Sequence, residues 1–179
     1  MQSTLDTPRG PVAIRPSRES DAENFRALRL QALRDHPTVF GSDYATSAEL
    51  PLSHWQERMR KGAGDDSTVM YVAEAANALV GMTMLARNDA LKMRHGGAIY
   101  SVYTHPIWRG TGVADALLNA CTDYARNLGM RVLHLGVVVN NASALQLYLR
   151  NGWSVYGVEP ESIFYDGIYY DELMMLKRL

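Results

Sequence analysis

The sequence predicts a mixed α/β single domain built on one central sheet, and three observations carry that prediction. Short runs rich in β-branched and aromatic residues recur from residue 68 to the end of the chain. Between several of them lie segments with apolar residues at helical spacing. At 98–128 a strand-like run passes at once into a glycine-bearing turn and then a helical stripe. With 179 residues, 47% of them hydrophobic, the chain is long enough to bury a continuous core.

Taken in order, residues 1–10 are polar and contain Pro8 and Gly10, so they are expected as a loose N-terminal arm, the domain occupying 11–179. Residues 12–15 suit a short strand. Ser20-Asp21-Ala22-Glu23 has the capping-box pattern, followed by Phe25, Leu28, Ala32 and Leu33 at helical spacing up to Pro37. Ser53-His54-Trp55-Gln56 opens a shorter helix that Gly62 and Gly64 end. Residues 68–75 and 79–86 read as a hairpin turning at Ala76-Asn77-Ala78, and 98–104 as another strand closed by Pro106. From Gly112 the apolar spacing becomes helical through Val113, Leu117, Cys121, Tyr124 and Leu128, with Gly129 as the stop. A β-branched run at 132–139, a helix at about 142–151 ending near Gly152, and strands at 153–158 and 169–179 around Asp166-Gly167 complete the order β-α-α-β-β-β-α-β-α-β-β.

Composition removes several function classes. A formal net charge of −1 provides no global basic field for nucleic acid. No run approaches the roughly 20 apolar residues of a membrane span, and the N-terminus lacks a signal-peptide pattern. The single cysteine, Cys121, rules out an internal disulfide, so a soluble cytoplasmic protein is expected. The five histidines are scattered and no metal site is expected.

Arg109-Gly110-Thr111-Gly112-Val113-Ala114 is the segment with chemical content. First-turn amides of a helix have no internal partner and carry partial positive charge, and glycines let the main chain approach a phosphate closely. Thr111 adds a hydroxyl and Arg109 a cation. By itself such a loop either cradles an anion or only turns a strand into a helix. Two rival phosphate motifs do not fit: the Gly-Lys-Ser/Thr of a Walker loop is absent, and the dinucleotide fingerprint would need a third glycine in an early βαβ unit.

Arg109-x-x-Gly112-x-Ala114, preceded by residues 102–106, resembles the coenzyme A signature of the GNAT superfamily of N-acetyltransferases. Asn141-x-x-Ala144-x-x-Leu147-Tyr148-x-x-x-Gly152-Trp153 resembles the second signature of that family, with Trp153 in place of the commoner Phe. Residues 166–174, Asp166-Gly167 through Asp171-Glu172 to Met174, are similar to those of many small, poorly characterised members. The resemblance implies a GNAT-like fold, with a central mixed, mostly antiparallel sheet and helices on both faces. It implies acetyl-CoA as co-substrate and acetyl transfer to a primary amine in a ternary complex. Val102, Tyr103 and Thr104 would then lend backbone groups to the pantetheine arm. Backbone amides from Gly110 through Thr111, Gly112, Val113 and Ala114 to Asp115 would hold the pyrophosphate, and Asn141 the pantetheine chain. Tyr148 is the expected general acid, a phenol of ordinary pKa about 10 donating to the leaving thiolate. No base is assigned: where some members carry Glu, five residues before the Asn, this chain has Gly136, leaving His134 or ordered water as candidates.

The resemblance also implies an acceptor wall between the two N-terminal helices and the last strand pair, here from Phe40, Tyr44, Trp55, Tyr156, Phe164 and Tyr165, where Glu159 and Glu161 could attract a cationic amine. The partner expected is a small amine or peptide, with a homodimer as the oligomeric option and neither nucleic acid nor membrane involved. A non-catalytic acyl-CoA sensor and an interaction protein with a purely structural glycine loop are the competing function classes.

Overall fold

The computed structural model describes residues 2–65 and 67–179. The hairpin expected at 68–86 is present. In β3 (Thr68–Ala75), Val69, Tyr71 and Ala73 join one buried cluster while Met70 and Val72 join another, which places the strand in mid-sheet. Around it are β1 (Ser3–Thr7), β2 (Gly10–Pro16), β4 (Ala78–Arg87), β5 (Gly96–Thr104), β6 (Val132–Val138), β7 (Ser154–Tyr165) and β8 (Ile168–Arg178). The spatial order is β1-β2-β3-β4-β5-β6-β8-β7, antiparallel throughout except for the β5–β6 pair. The predicted mixed, mostly antiparallel sheet is therefore observed.

Helices α1 (Ala22–Asp35) and α3 (Leu52–Lys61) cover one face through Phe25, Leu28, Ala32, Trp55 and Met59. Helices α4 (Val113–Asn127) and α5 (Ala142–Arg150) cover the other through Val113, Leu117, Cys121, Leu147 and Tyr148. The β3–β4 turn works without glycine because Ala76 and Asn77 both adopt positive φ, 48° and 64°, as a two-residue hairpin with the right twist demands.

Several elements differ from expectation: β7 runs on to Tyr165 rather than ending near 158, and α3 starts at Leu52 behind Pro51 without the expected Ser53 box. Residues 3–7 are not a loose arm. They pair antiparallel with β2, from Ser3 opposite Ile14 to Thr7 opposite Gly10, and Leu5 packs against the core. Met1 lies outside the described residues. A short helix, α2 (Tyr44–Glu49), appears where no helical periodicity was visible, and Asp43 caps it by accepting from Thr46 N at 2.8 Å. The box at the start of α1 is built on other residues: Arg18 N donates to Asp21 Oδ2 at 2.7 Å, and a 3-10 turn at Glu19–Asp21 leads into the helix. Asp21 also receives both terminal nitrogens of Arg15, at 2.8 and 2.7 Å, and Arg15 Nε donates to Glu74 at 2.8 Å. A cation on β2 thus selects the capping carboxylate, which no local pattern reveals.

Candidate active site

The parallel pair β5–β6 is hydrogen-bonded only from Gly96 opposite Val132 to Ala98 opposite His134. Beyond that the strands separate, and β5 carries a bulge there. Met82 opposes Tyr103 and Met84 opposes Tyr100, so Ser101 and Val102 share the space of one partner residue. Ser101 takes φ 57° to make this possible. A bulge bends the strand that carries it, and here the bend falls where the pairing with β6 has already ended.

A cavity of about 270 Å³ occupies this end of the molecule. Val102, Tyr103 and Thr104 of β5 line it, with Arg109, Gly110, Gly112, Val113, Ala114 and Asp115 from the loop and the start of α4. Leu147 and Tyr148 line it from α5. Ten of the twelve sequence-derived site residues therefore meet in one wall. Thr111 and Asn141 do not. The Thr111 hydroxyl donates to Trp108 O at 2.7 Å and so shapes the loop, while Asn141 Oδ1 caps α5 by accepting from Ala144 N at 3.2 Å.

The loop's chemistry fits a phosphorylated ligand. Gly110 and Gly112 have φ of 74° and 87°, and a Cβ on Gly110 would meet nothing within 4 Å. Glycine is needed there for conformation rather than room. Gly112 is the N-cap of α4, so the first amides of that helix open toward the cavity that Val113, Ala114 and Asp115 line. The Asp115 carboxylate does not oppose an anion unaided. Arg150 donates to it at 3.0 and 2.9 Å and Asn151 at 2.8 Å, and the Arg150 bonds above all hold it below the usual carboxylate range. Thr104 Oγ1, also in the wall, is buried without a hydrogen-bond partner.

His36, which no sequence signal marked, lines the same cavity, and Arg109 Nη2 sits 2.8 Å from its Nε2. Burial first, and then the Arg109 charge, push the His36 pKa down, so a neutral ring accepts from the guanidinium. Tyr148 is buried, packs edge-on against Trp153 at 6.2 Å, and is held above the ordinary tyrosine value by burial and by the charge of Glu172. Its phenol is protonated at neutral pH. Cys121 is fully buried, and burial pushes its thiol to about 12, which leaves no thiolate for covalent catalysis.

A second cavity of about 600 Å³ lies between the segment following α1 and strand β7, and shares Phe40 with the first. Of the expected acceptor wall, Phe40, Tyr44, Phe164 and Tyr165 line it, together with Arg34 and Ser162. Trp55 does not, being buried in the core against Phe25, and neither does Tyr156, which stacks edge-on against His134 at 5.7 Å. His134 stands where β5 and β6 are still paired and lines neither cavity. Glu159 and Glu161 are exposed on β7, outside both linings. Among the described residues there is no cluster that would hold a metal ion, and no helix is long and apolar enough to cross a membrane.

Comparisons with known proteins bear on the family and the fold. The model of the acetyltransferase (GNAT) family matches residues 27–153. An uncharacterized N-acetyltransferase of Methanocaldococcus jannaschii is 26% identical over 142 residues, 78% of this chain and 59% of that protein, so the chain spans about three-fifths of that relative's length. A spermidine N(1)-acetyltransferase of Vibrio cholerae is 29% identical over 118 residues, 65% of this chain and 66% of that protein. A Salmonella typhimurium structure determined with its cofactor acetyl-CoA superposes with a TM-score of 0.80 at 20% identity, covering 94% of each chain. The matched family model takes in the glycine loop, β6 and α5, and on that match this chain belongs to the GNAT family of acetyltransferases.

Proposed function

We propose that the protein transfers the acetyl group of acetyl-CoA to a primary amine of a small molecule or peptide, by direct attack in a ternary complex. The observation that carries this is a buried, protonated phenol, Tyr148, in the same cavity wall as the glycine loop and the free edge of β5. Acetyl-CoA, when bound, supplies an acetyl group activated as a thioester. The amides from Gly110 to Asp115 bind its diphosphate, and the unpaired backbone of β5 at 102–104, with Thr104 Oγ1, runs along the pantetheine arm. Tyr148 delivers a proton to the sulfur as it leaves, and the amine arrives from the cavity between Phe40 and Phe164. That the Vibrio relative is named for a polyamine and the Methanocaldococcus relative as an N-acetyltransferase supports an amine acceptor.

A thiol-release assay over polyamines, amino acids and short peptides tests the proposal. Turnover with at least one amine class is expected, and no release with any of them would refute it. Calorimetry with coenzyme A separates the glycine loop as a ligand site from a purely structural turn. Gly112→Ala sharpens this test, because an L-residue at φ 87° costs about 1–2 kcal/mol and no neighbour closer than Leu5 Cδ2 at 3.9 Å adds a clash. The variant is expected to melt a few degrees lower and to bind coenzyme A more weakly. Unchanged affinity would remove the loop from the diphosphate site.

A further inference from the structure

The site holds a proton donor, but an alkylammonium acceptor must also lose protons, and position 136 on β6 is glycine. The structure fills that space from the neighbouring strand. A Cβ on Gly136 would lie 3.0 Å from Glu172 Oε2 and 3.1 Å from both Cδ and Oε1. Glu172 stands opposite Val138 in the β6–β8 register, so it shares a sheet face with Gly136, two residues away. The alternate residues Val137 and Leu173 pack on the α5 side with Leu147 and Tyr148. Glu172 therefore belongs to the opposite face.

One further contact and one electrostatic effect bear on its carboxylate. Ser162 Oγ donates to Glu172 Oε2 at 2.7 Å, and Ser162 lines the larger, acceptor-side cavity. The Glu172 charge is felt by the Tyr148 phenol, which lines the coenzyme-side cavity. The carboxylate lines neither cavity itself, and Ser162 links it to the acceptor-side one. Its titratable neighbours are Tyr148 from α5 and Glu159, opposite it in the β7–β8 register. On β6 it faces Gly136 and Val138, and Asp171, adjacent in sequence, accepts from Glu161 N.

We propose that Glu172 is the general base of the transfer, accepting protons from the acceptor nitrogen directly or across one water. This rests on the acetyltransferase reading above. The nitrogen forms its bond to the acetyl carbon while the carbon–sulfur bond breaks. Of the two protons the ammonium sheds, both pass through Glu172 to solvent, while Tyr148 gives one to sulfur and regains it from solvent. One proton is released overall.

Glu172→Gln is expected to lower kcat/KM for the panel's best alkylamine by about 10²-fold, the usual scale of general-base catalysis. Coenzyme A affinity by calorimetry should stay within a factor of two. With the hydrazide of the same skeleton, unprotonated at neutral pH, the loss should shrink, which a merely structural role would not produce. Because the two side chains compete for one volume, Gly136→Glu should restore turnover in a Glu172→Ala background. In the ligand-free protein, an ultraviolet difference titration against Tyr148→Phe should show the Tyr148 phenol ionising at lower pH once Glu172 is Gln. Wild-type turnover in Glu172→Gln, or an equal loss with both acceptors, overturns the assignment while leaving the acetyltransferase reading intact. A wild-type protein that acetylates no amine overturns both.

Discussion

Replacing Tyr148 by Phe is expected to cut turnover by about 10²-fold or more while leaving coenzyme A binding unchanged. The change removes one oxygen and keeps the ring, whose edge-on contact with Trp153 and place among Leu147, Leu135 and Val137 need no hydroxyl. Stability should therefore move little, and the kinetic loss reports the proton alone. In the proposed transfer the leaving group is a thiolate, which a proton from the phenol neutralises as the carbon–sulfur bond breaks. Burial, helped by Glu172, keeps the Tyr148 phenol protonated well above pH 8. The sign is thus fixed: turnover should not fall between pH 7 and 9 for want of the acid. Steady-state thiol release across that range, for wild type and variant, checks both statements. Equal turnover in the two proteins would exclude the phenol as donor.

The largest stability effect is expected at Asp21. Its side chain and that of Arg15 are both nearly excluded from water, and they meet through two parallel hydrogen bonds. Burial alone would raise the Asp21 pKa, but the Arg15 bonds and the Arg18 amide outweigh it and hold the carboxyl below its usual value. Removing one partner of a buried pair strands the other and costs about 3–5 kcal/mol. Glu74 remains beside Arg15 at 2.7 Å, so Asp21→Ala should fall near the low end of that range. For a protein of this size that lowers the melting temperature by about 10 °C. The pH dependence follows from the lowered pKa. The Asp21 contribution is complete above the unfolded value, near 4, and is lost as pH falls through the folded value. Wild type and variant should therefore differ most at pH 7 and converge toward pH 2–3, which denaturant melts at the two extremes would show. A constant gap would assign the cost to packing instead.

Much of the chain was legible because its signals are local. The β-forming run of 68–75, the apolar stripe from Val113 to Leu128 and the glycines of 109–114 each report their element without knowledge of the fold. What escaped depends on partners distant in sequence. Residues 3–7 are polar enough to pass for an arm, and become a strand because β2 offers an edge. Ser20 looked like the start of a capping box, but Arg15 holds Asp21 where the cap is made. Trp55 was expected at a ligand wall, yet it faces inward on α3 against Phe25. Position 136 read as a missing carboxylate because a single strand cannot show that its neighbour across the β6–β8 ladder supplies one.

The early end of the β5–β6 ladder has a consequence for the protein's motion and lifetime. Below Ala98 the sheet is continuous, but above it two strand margins face each other without bonding, an interior counterpart of an exposed sheet rim. Amide protons along residues 99–104 should trade with deuterium sooner than those of β3, which is bonded to neighbours on both sides. A coenzyme lying in that gap would act as the absent strand, slowing the exchange. At a hundred times its dissociation constant it would add about 2.7 kcal/mol to the folded state. The cellular supply of coenzyme would then govern how often this sheet opens, as well as how fast the enzyme works.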